Sequence, residues 1–364
     1  MLHLPASLRE ITGLPGEATV QDLLNYLENE NNHVLDGLLS SEASLAIAAS
    51  SMERFSRYQL RIEDQVGVIQ YKFCNVNFKD HPDPILVGLI PREHFDAPPT
   101  ELENLIFWAI IDDRLQEQKL NSRDPSRNCI DWRSLAGGKA IIAEPIDLKL
   151  GAADQQVISA LFGLTYPCMP SADLPNALVH SAAVVKMDKQ PRTYTEIQAL
   201  LLHEASIVQR PKWRFLSLYR ILENAYLANI KDTLIKEYDQ DASKAIKSAD
   251  EKLANEPNQL VSLAEGIDAI AEFEAFNTAM ETLIATHNKY IIKLDRAAEN
   301  EKLYKSQDKY KKAVIRFYKI RCSIAHAGTS SVIYEMFPDA NSAILELLPH
   351  VEAIALKSLK IVAS

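Results

Sequence analysis

Glycine and proline are distributed unevenly along this chain of 364 residues, and that asymmetry constrains the fold more than any other feature. Residues 1–195 contain 9 of the 11 glycines and 13 of the 17 prolines. Both residue types interrupt helices and strands, so the first half of the chain is predicted to be rich in turns. Residues 196–364 hold the remaining two glycines and four prolines, a composition that favours long helices.

The sequence therefore predicts an α+β N-terminal domain over residues 1–190, followed by an all-α helical bundle over residues 195–364. A chain of 364 residues is long enough for two domains and a sizeable core. The segment 189–195, near the run Asp-Lys-Gln-Pro-Arg, is predicted to be the linker between them. The sequence alone does not show whether the first domain senses a trigger, binds a partner or selects a substrate.

Short apolar and alternating runs in the first domain predict four strands, at 66–73, 85–90, 139–150 and 177–187. Helices are predicted there at 19–31, 41–57 and 100–119. In the bundle, Thr195 and Gln198 can cap a helix, and Pro211 suits the first turn of the next one. The predicted bundle helices cover 196–209, 211–238, 241–254, 259–295, 302–327 and 340–361.

The charge and the cysteines of the chain limit its function class. A formal net charge of −10 argues against a protein that coats nucleic acid non-specifically, although a local basic site remains compatible with it. None of the four cysteines shares a metal-ligand spacing with another, and nothing indicates a disulfide framework. With no apparent signal peptide and no apolar run long enough to cross a bilayer, we expect a cytoplasmic protein without a membrane partner.

Arg321 and His326 form an R-x4-H motif near the end of the predicted helix 302–327. A guanidinium can bind phosphate through two hydrogen bonds, and an imidazole can transfer a proton near neutral pH. Five residues of regular helix rotate the two side chains about 140° apart. A joint site therefore needs either a distorted helix end, for which Ala327-Gly328 is typical, or two motifs that meet across a dimer. The alternative is structural, with a capping His and an Arg tied to a carboxylate inside the bundle.

On a helical projection Arg321 falls within an apolar face, where an unpaired charge is very costly. Its partner is then a carboxylate, a symmetry-related chain or a substrate phosphate. The other side of the same helix carries a basic stripe, which is either a solvated face or an approach surface for RNA. This stripe consists of Lys305, Lys309, Lys312, Arg316 and Lys319.

Two segments resemble the HEPN domains, and their Apea-like branch most of all. The first segment is Trp-Arg-Phe-Leu-Ser-Leu-Tyr-Arg-Ile-Leu-Glu at 213–223, and the second is Arg-Cys-Ser-Ile-Ala-His-Ala-Gly at 321–328. Family members carry a similar pair of segments, in this order and about a hundred residues apart. The resemblance covers residues 195–364, which is under half of the chain.

The resemblance implies a bundle of four or five main helices that forms a homodimer or a higher homo-oligomer. The R-x4-H motifs of two subunits then line one cleft. Many members are metal-independent endoribonucleases of toxin–antitoxin, abortive-infection or antiviral defence systems, so no cofactor and no metal are expected. Carried over by motif, Arg321 and His326 are the catalytic candidates, and Glu223 is a candidate for orienting Arg321. The expected partners are RNA and an inhibitor or activator protein.

In the expected mechanism the ribose 2′-OH attacks the adjacent phosphorus, His326 transfers protons and Arg321 stabilises the added charge. The residue after the motif Arg is often polar in active members, whereas here it is Cys322. A non-catalytic HEPN module that dimerises and binds RNA, a nucleotide or a partner is therefore the alternative function.

Overall fold

The structure is a computed structural model that describes residues 2–3, 17–18, 58–64, 72–89, 139–164, 178, 184–253, 255–325 and 332–363. Within these residues the chain is mixed α/β, with the strands before residue 190 except for one at the C-terminus, and with most of the helices after residue 195.

The strands of the described residues form two sheets. They are β1 (Leu2–His3), β2 (Glu17–Ala18), β3 (Tyr58–Asp64), β4 (Lys72–Phe78), β5 (Ile85–Leu89), β6 (Lys139–Pro145), β7 (Val184–Met187) and β8 (Ile361–Ala363). β1 pairs with β2, and the other six form one sheet in the order β3-β6-β5-β4-β7-β8. In this sheet β4 and β7 pair in parallel, and the remaining neighbours pair antiparallel. All five residues of β5 are buried, as expected for an apolar strand inside a sheet.

Several strand predictions are confirmed in position. β5 matches the strand predicted at 85–90, β6 begins at Lys139 as predicted and ends at Pro145, and β7 lies within the strand predicted at 177–187. Of the strand predicted at 66–73, only residues 72–73 are described, and they begin β4. The helices predicted at 19–31, 41–57 and 100–119 lie outside the described residues.

The described residues contain nine α-helices, which are α1 (Ala152–Phe162), α2 (Glu196–Ile207), α3 (Pro211–Tyr238), α4 (Ala242–Leu253), α5 (Glu256–Gly266), α6 (Ile270–Ala285), α7 (Lys289–Ala298), α8 (Lys309–Ala325) and α9 (Ala340–Ser358). The predicted capping box of α2 is present, because the Thr195 hydroxyl accepts from the Gln198 amide and the Gln198 side chain accepts from the Thr195 amide. α3 has the predicted bounds, with Pro211 in its first turn. Among the described helices, none is both long and apolar enough to cross a membrane.

The single helix predicted at 259–295 is wrong, because the chain forms α5, α6 and α7 there. Asp268 and His287 adopt the left-handed region at the two breaks, with φ of 55° and 64°. Asn288 then caps α7 by accepting from the Ile291 amide. The described part of the bundle therefore has eight helices where the sequence predicts six, and four of them (α3, α6, α8 and α9) have 16 residues or more.

Two other predicted helix bounds are also wrong. α8 begins at Lys309 instead of residue 302, because the chain turns through residues 301–306 before the helix starts. α9 ends at Ser358 instead of residue 361. Lys360, with φ of 60°, reverses the chain so that β8 can pair with β7.

The sheet and the helical bundle are packed together rather than joined by a free linker. One hydrophobic cluster runs from Val76 and Ile142 in the sheet to Phe215 and Phe317 in the bundle. The predicted linker is held on both sides, since the Tyr194 hydroxyl donates to the Leu359 carbonyl at 3.2 Å and the Arg192 amide donates to Asp154. The C-terminal strand β8 crosses back to complete the sheet.

Candidate functional site

Arg321 lies near the C-terminal end of α8, between carboxylates of α3 and α5. Its Nη2 donates to Glu223 Oε1 at 3.1 Å, and its Nε lies 3.8 Å from Glu256 Oε1. The Arg321 side chain is 21% exposed, so the guanidinium is neither sealed in the core nor fully solvated. We call Arg321, Glu223 and Glu256, with the tyrosines that contact them, the Arg321 site.

Tyrosines of α3 form the inner wall of the Arg321 site. The Tyr219 hydroxyl donates to Glu256 Oε1 at 2.8 Å, and the Tyr226 hydroxyl donates to the same oxygen at 3.5 Å. The Tyr219 ring lies 5.6 Å from the Arg321 guanidinium carbon and stacks on Phe317 with a centroid distance of 5.2 Å. Glu256 Oε1 is thus shared by two phenols and one guanidinium.

Burial and charge set the protonation states of the Arg321 site. Burial disfavours the charged guanidinium, but Glu256 and Glu223 outweigh it and raise the pKa of Arg321 above its ordinary value. Burial, reinforced by the charge of Glu256, raises the pKa of Tyr219 and the pKa of Tyr226. At neutral pH the site therefore holds a permanently charged guanidinium, and its phenols are neutral hydrogen-bond donors.

The local sequence explains how these groups meet. Tyr219, Glu223 and Tyr226 are spaced by four and three residues, so they share one face of α3. Glu256 is the first residue of α5, after the Asn255 side chain that caps the helix. The positive end of the helix dipole favours a carboxylate at this position.

The structure brings together some of the residues that the sequence predicts and leaves others apart. The contact between Arg321 and Glu223 is as expected. Of the three partners considered for Arg321, a carboxylate is the one that the structure contains. His326 lies outside the described residues, directly after Ala325 in the sequence. Glu256 was not among the site residues predicted from the sequence, since it falls between the helices predicted at 241–254 and 259–295. The signal present in the sequence was the helix start itself, with Asn at the N-cap and Glu in the first turn.

The prediction that Arg316 lies on an exposed basic face is wrong, because its side chain is only 2% exposed. Its Nε donates to Asp295 Oδ1 at 2.8 Å, its Nη1 donates to Asn277 Oδ1 at 2.6 Å, and Nη1 also lies 3.5 Å from Glu281 Oε1. The Tyr304 hydroxyl donates to the same Asp295 oxygen at 2.8 Å. Arg316 therefore ties α8 to α6 and α7 and is not accessible to RNA.

The remaining members of the predicted basic stripe differ in their exposure and in their contacts. Lys305 lies in the turns before α8, and Lys309 is exposed at the first position of that helix. The Lys312 ammonium lies 4.7 Å from the Tyr304 ring centroid, and Lys319 pairs with Glu301 at 2.7 Å. Of the predicted RNA-contacting side chains, Lys305 and Lys309 remain the exposed ones.

Within the described part of the chain, no group of three or more His, Cys, Asp or Glu side chains is arranged to hold a metal ion. Comparison with known proteins adds no identification, since no family model, curated protein or solved structure matches this chain.

Proposed function

We propose that this protein is a metal-independent endoribonuclease of HEPN type, which acts as a homodimer in the cytoplasm in an antiviral defence or toxin–antitoxin setting. The observation that carries the proposal is the geometry of Arg321. Its guanidinium donates to Glu223, lies beside Glu256 and is partly exposed near a helix end, five residues before His326 in the sequence.

In the proposed reaction the ribose 2′-OH loses its proton to His326 and attacks the adjacent phosphorus. The bond from phosphorus to the 5′-oxygen breaks, and the leaving oxygen takes a proton from the imidazolium. The products are a 2′,3′-cyclic phosphate and a 5′-hydroxyl. Arg321 stabilises the negative charge that accumulates on the phosphoryl oxygens, an effect of about 3–4 kcal/mol for one well-placed donor. Proton transfer contributes roughly 10²–10⁴-fold.

The surroundings of Arg321 suit a residue that must be ready to bind an anion. The hydrogen bond to Glu223 orients the guanidinium before a phosphate binds, which lowers the entropy lost on binding. The contact between the Arg321 Nε and Glu256 is long, at 3.8 Å, so a phosphate that competes for this edge displaces only a weak interaction. Glu256 itself keeps its two tyrosine partners when a phosphate replaces it at the Arg321 Nε.

The same site also supports a second function, a non-catalytic HEPN module that binds RNA, a nucleotide or a partner protein. The specific observation is that two carboxylates already balance the charge of Arg321, so that it can serve as a structural tie between α3, α5 and α8. Cys322, where active family members often carry a polar residue, also favours this alternative.

An RNA cleavage assay in EDTA separates the two functions. Single-stranded RNA is incubated with wild-type protein and with the variants Arg321→Ala and His326→Ala. We expect each variant to lose at least about 10²-fold in rate, because each lacks a group that acts only in the transition state. Equal cleavage by all three proteins, or absolute dependence on added Mg²⁺, would contradict the proposal. Saturable RNA binding by the wild type without cleavage would favour the binding module.

Two further variants control for structure. Arg220→Ala removes an exposed arginine of α3 that pairs with Glu204 at 3.0 Å, so it should leave the rate unchanged. Glu223→Gln keeps the shape of the orienting side chain but removes its charge, and we expect a rate loss of about tenfold or less. Thermal unfolding of each variant shows whether a lost rate reflects lost folding, because Arg321→Ala leaves two carboxylates facing each other.

A further inference from the structure

Lys189 lies two residues after β7, at the junction between the sheet and α2, and it is half-buried. Its Nζ donates to Gln198 Oε1 at 3.3 Å and lies 4.5 Å from the ring centroid of Tyr194. Both partners are themselves held in place, because Gln198 Oε1 also accepts from the Thr195 amide and the Tyr194 hydroxyl donates to the Leu359 carbonyl. The position of the Lys189 amine is therefore defined by contacts with the linker and with α2.

The groups around the Lys189 amine favour its neutral form. Both of its contacts are neutral, and among the described residues no carboxylate lies within ion-pair distance of Nζ. The Asp188 amide donates to the Lys360 carbonyl at 2.9 Å, so a second lysine lies on the adjacent chain segment. The buried Asp154 carboxylate acts in the opposite direction, but one of its oxygens already accepts from two backbone amides. Burial and the charge of Lys360 outweigh Asp154 and lower the pKa of Lys189.

A neutral lysine amine is a nucleophile, whereas an ammonium group is not. An ordinary lysine has a pKa of about 10.4 and is almost entirely protonated at neutral pH. Removal from water and a neighbouring cation are the two devices by which proteins make a lysine reactive, and Lys189 has both. Lys360 is exposed and places a positive charge beside the amine, which attracts a small anionic reagent. The chemistry at this position therefore suits an electrophile that carries negative charge.

We infer that Lys189 is a covalent modification site, which is acylated by acyl phosphates. The neutral Nζ attacks the carbonyl carbon of the acyl phosphate, and the bond from this carbon to the bridging oxygen breaks. Inorganic phosphate leaves, the nitrogen loses a proton to water, and the product is an Nζ-acylated lysine. The amide nitrogen keeps one N–H for Gln198, whereas the positive charge beside the Tyr194 ring is lost. Acylation thus changes the charge between the sheet and α2, and it does not depend on RNA cleavage.

The test incubates the full-length chain with acetyl phosphate and follows each lysine over time by mass spectrometry, after digestion with a protease that does not cleave at lysine. At about pH 7.5 we expect Lys189 to react at least about fivefold faster than Lys186, which is exposed on β7 three residues earlier. Lys360→Met removes the neighbouring charge but keeps the carbonyl that Asp188 contacts. This variant should slow Lys189 at least about twofold and leave the exposed Lys309 of α8 unchanged.

A Lys189 rate no higher than that of Lys186 would overturn the inference, and so would an unchanged Lys189 rate in Lys360→Met. The pH dependence of the rates is a second measurement, which separates activation of the amine from simple access. The Lys189 rate should level off at a lower pH than the Lys309 rate, because its pKa is lowered. Parallel pH profiles for the two lysines would contradict the inference. Unchanged far-ultraviolet circular dichroism shows that Lys360→Met is folded.

Discussion

Replacement of Arg316 by methionine tests whether this residue is a buried tie rather than an RNA contact. Methionine keeps a long apolar side chain but leaves Asp295, which is 17% exposed, without its charged partner. Removing one partner of a buried ion pair destabilises a protein by about 3–5 kcal/mol. We expect the lower end, about 3 kcal/mol, because Asp295 keeps the Tyr304 hydroxyl and can regain water. Loss of the contact with Glu281 adds little to this destabilisation, because the Glu281 side chain is 54% exposed.

The assay for Arg316→Met is urea-induced unfolding followed by far-ultraviolet circular dichroism at neutral pH. The matched control is Lys309→Met, which removes an exposed cation from the start of the same helix and should change the free energy of unfolding by less than about 0.5 kcal/mol. Adding Asp295→Asn to Arg316→Met removes the stranded charge, so it should restore at least about 1 kcal/mol. A loss below about 1 kcal/mol in Arg316→Met, together with weaker RNA binding, would refute the assignment of Arg316 as a buried tie.

Two other predictions concern the stability of the fold. Burial lowers the pKa of His203, whose Nδ1 has no hydrogen-bond partner among the described residues, so folding favours the neutral ring. Its contribution to stability is complete above the unfolded pKa of about 6.5 and is lost as the pH falls through the lower folded pKa. His203→Gln should therefore reduce the fall in the urea midpoint between about pH 7.5 and about pH 5.5. A fall as large as that of the wild type would contradict this prediction. Ile361→Ala should destabilise the whole protein by about 2–4 kcal/mol in one transition, because β8 joins the sheet to the bundle. Val362→Ala, on the exposed side of β8, should have little effect, and separate transitions for sheet and bundle would contradict this coupling.

The sequence predicts those elements whose signals are local. The bounds of α3 follow from Pro211 and from the apolar periodicity, and the capping box of α2 follows from Thr195 and Gln198. β5 follows from a short run of branched apolar residues. Each of these depends on neighbours within one or two helical turns, so no knowledge of the tertiary structure is needed.

The features that the sequence analysis missed depend on contacts between distant residues. β8 forms because Lys360 turns the chain and β7 offers an unpaired edge. Ile361 of β8 pairs there with Met187, which lies 174 residues earlier in the sequence. The charged residue Arg316 looks solvated in a helical projection because the acidic residues that bury it belong to other helices. Glu256 joins the Arg321 site in the same way, since α5 brings it beside Arg321 from 65 positions earlier in the chain.

The chemistry of the RNA product tests the central claim most directly. An RNA with one preferred cleavage position is compared, in EDTA, with the same RNA carrying a 2′-deoxyribose at the nucleotide that precedes the scissile bond. If the 2′-OH is the nucleophile and Arg321 and His326 assist it, the unmodified RNA should yield a 2′,3′-cyclic phosphate and a 5′-hydroxyl. The deoxy-substituted RNA should remain intact at that position. Cleavage of the deoxy-substituted bond, or a product with a 5′-phosphate, would contradict the proposed ribonuclease mechanism.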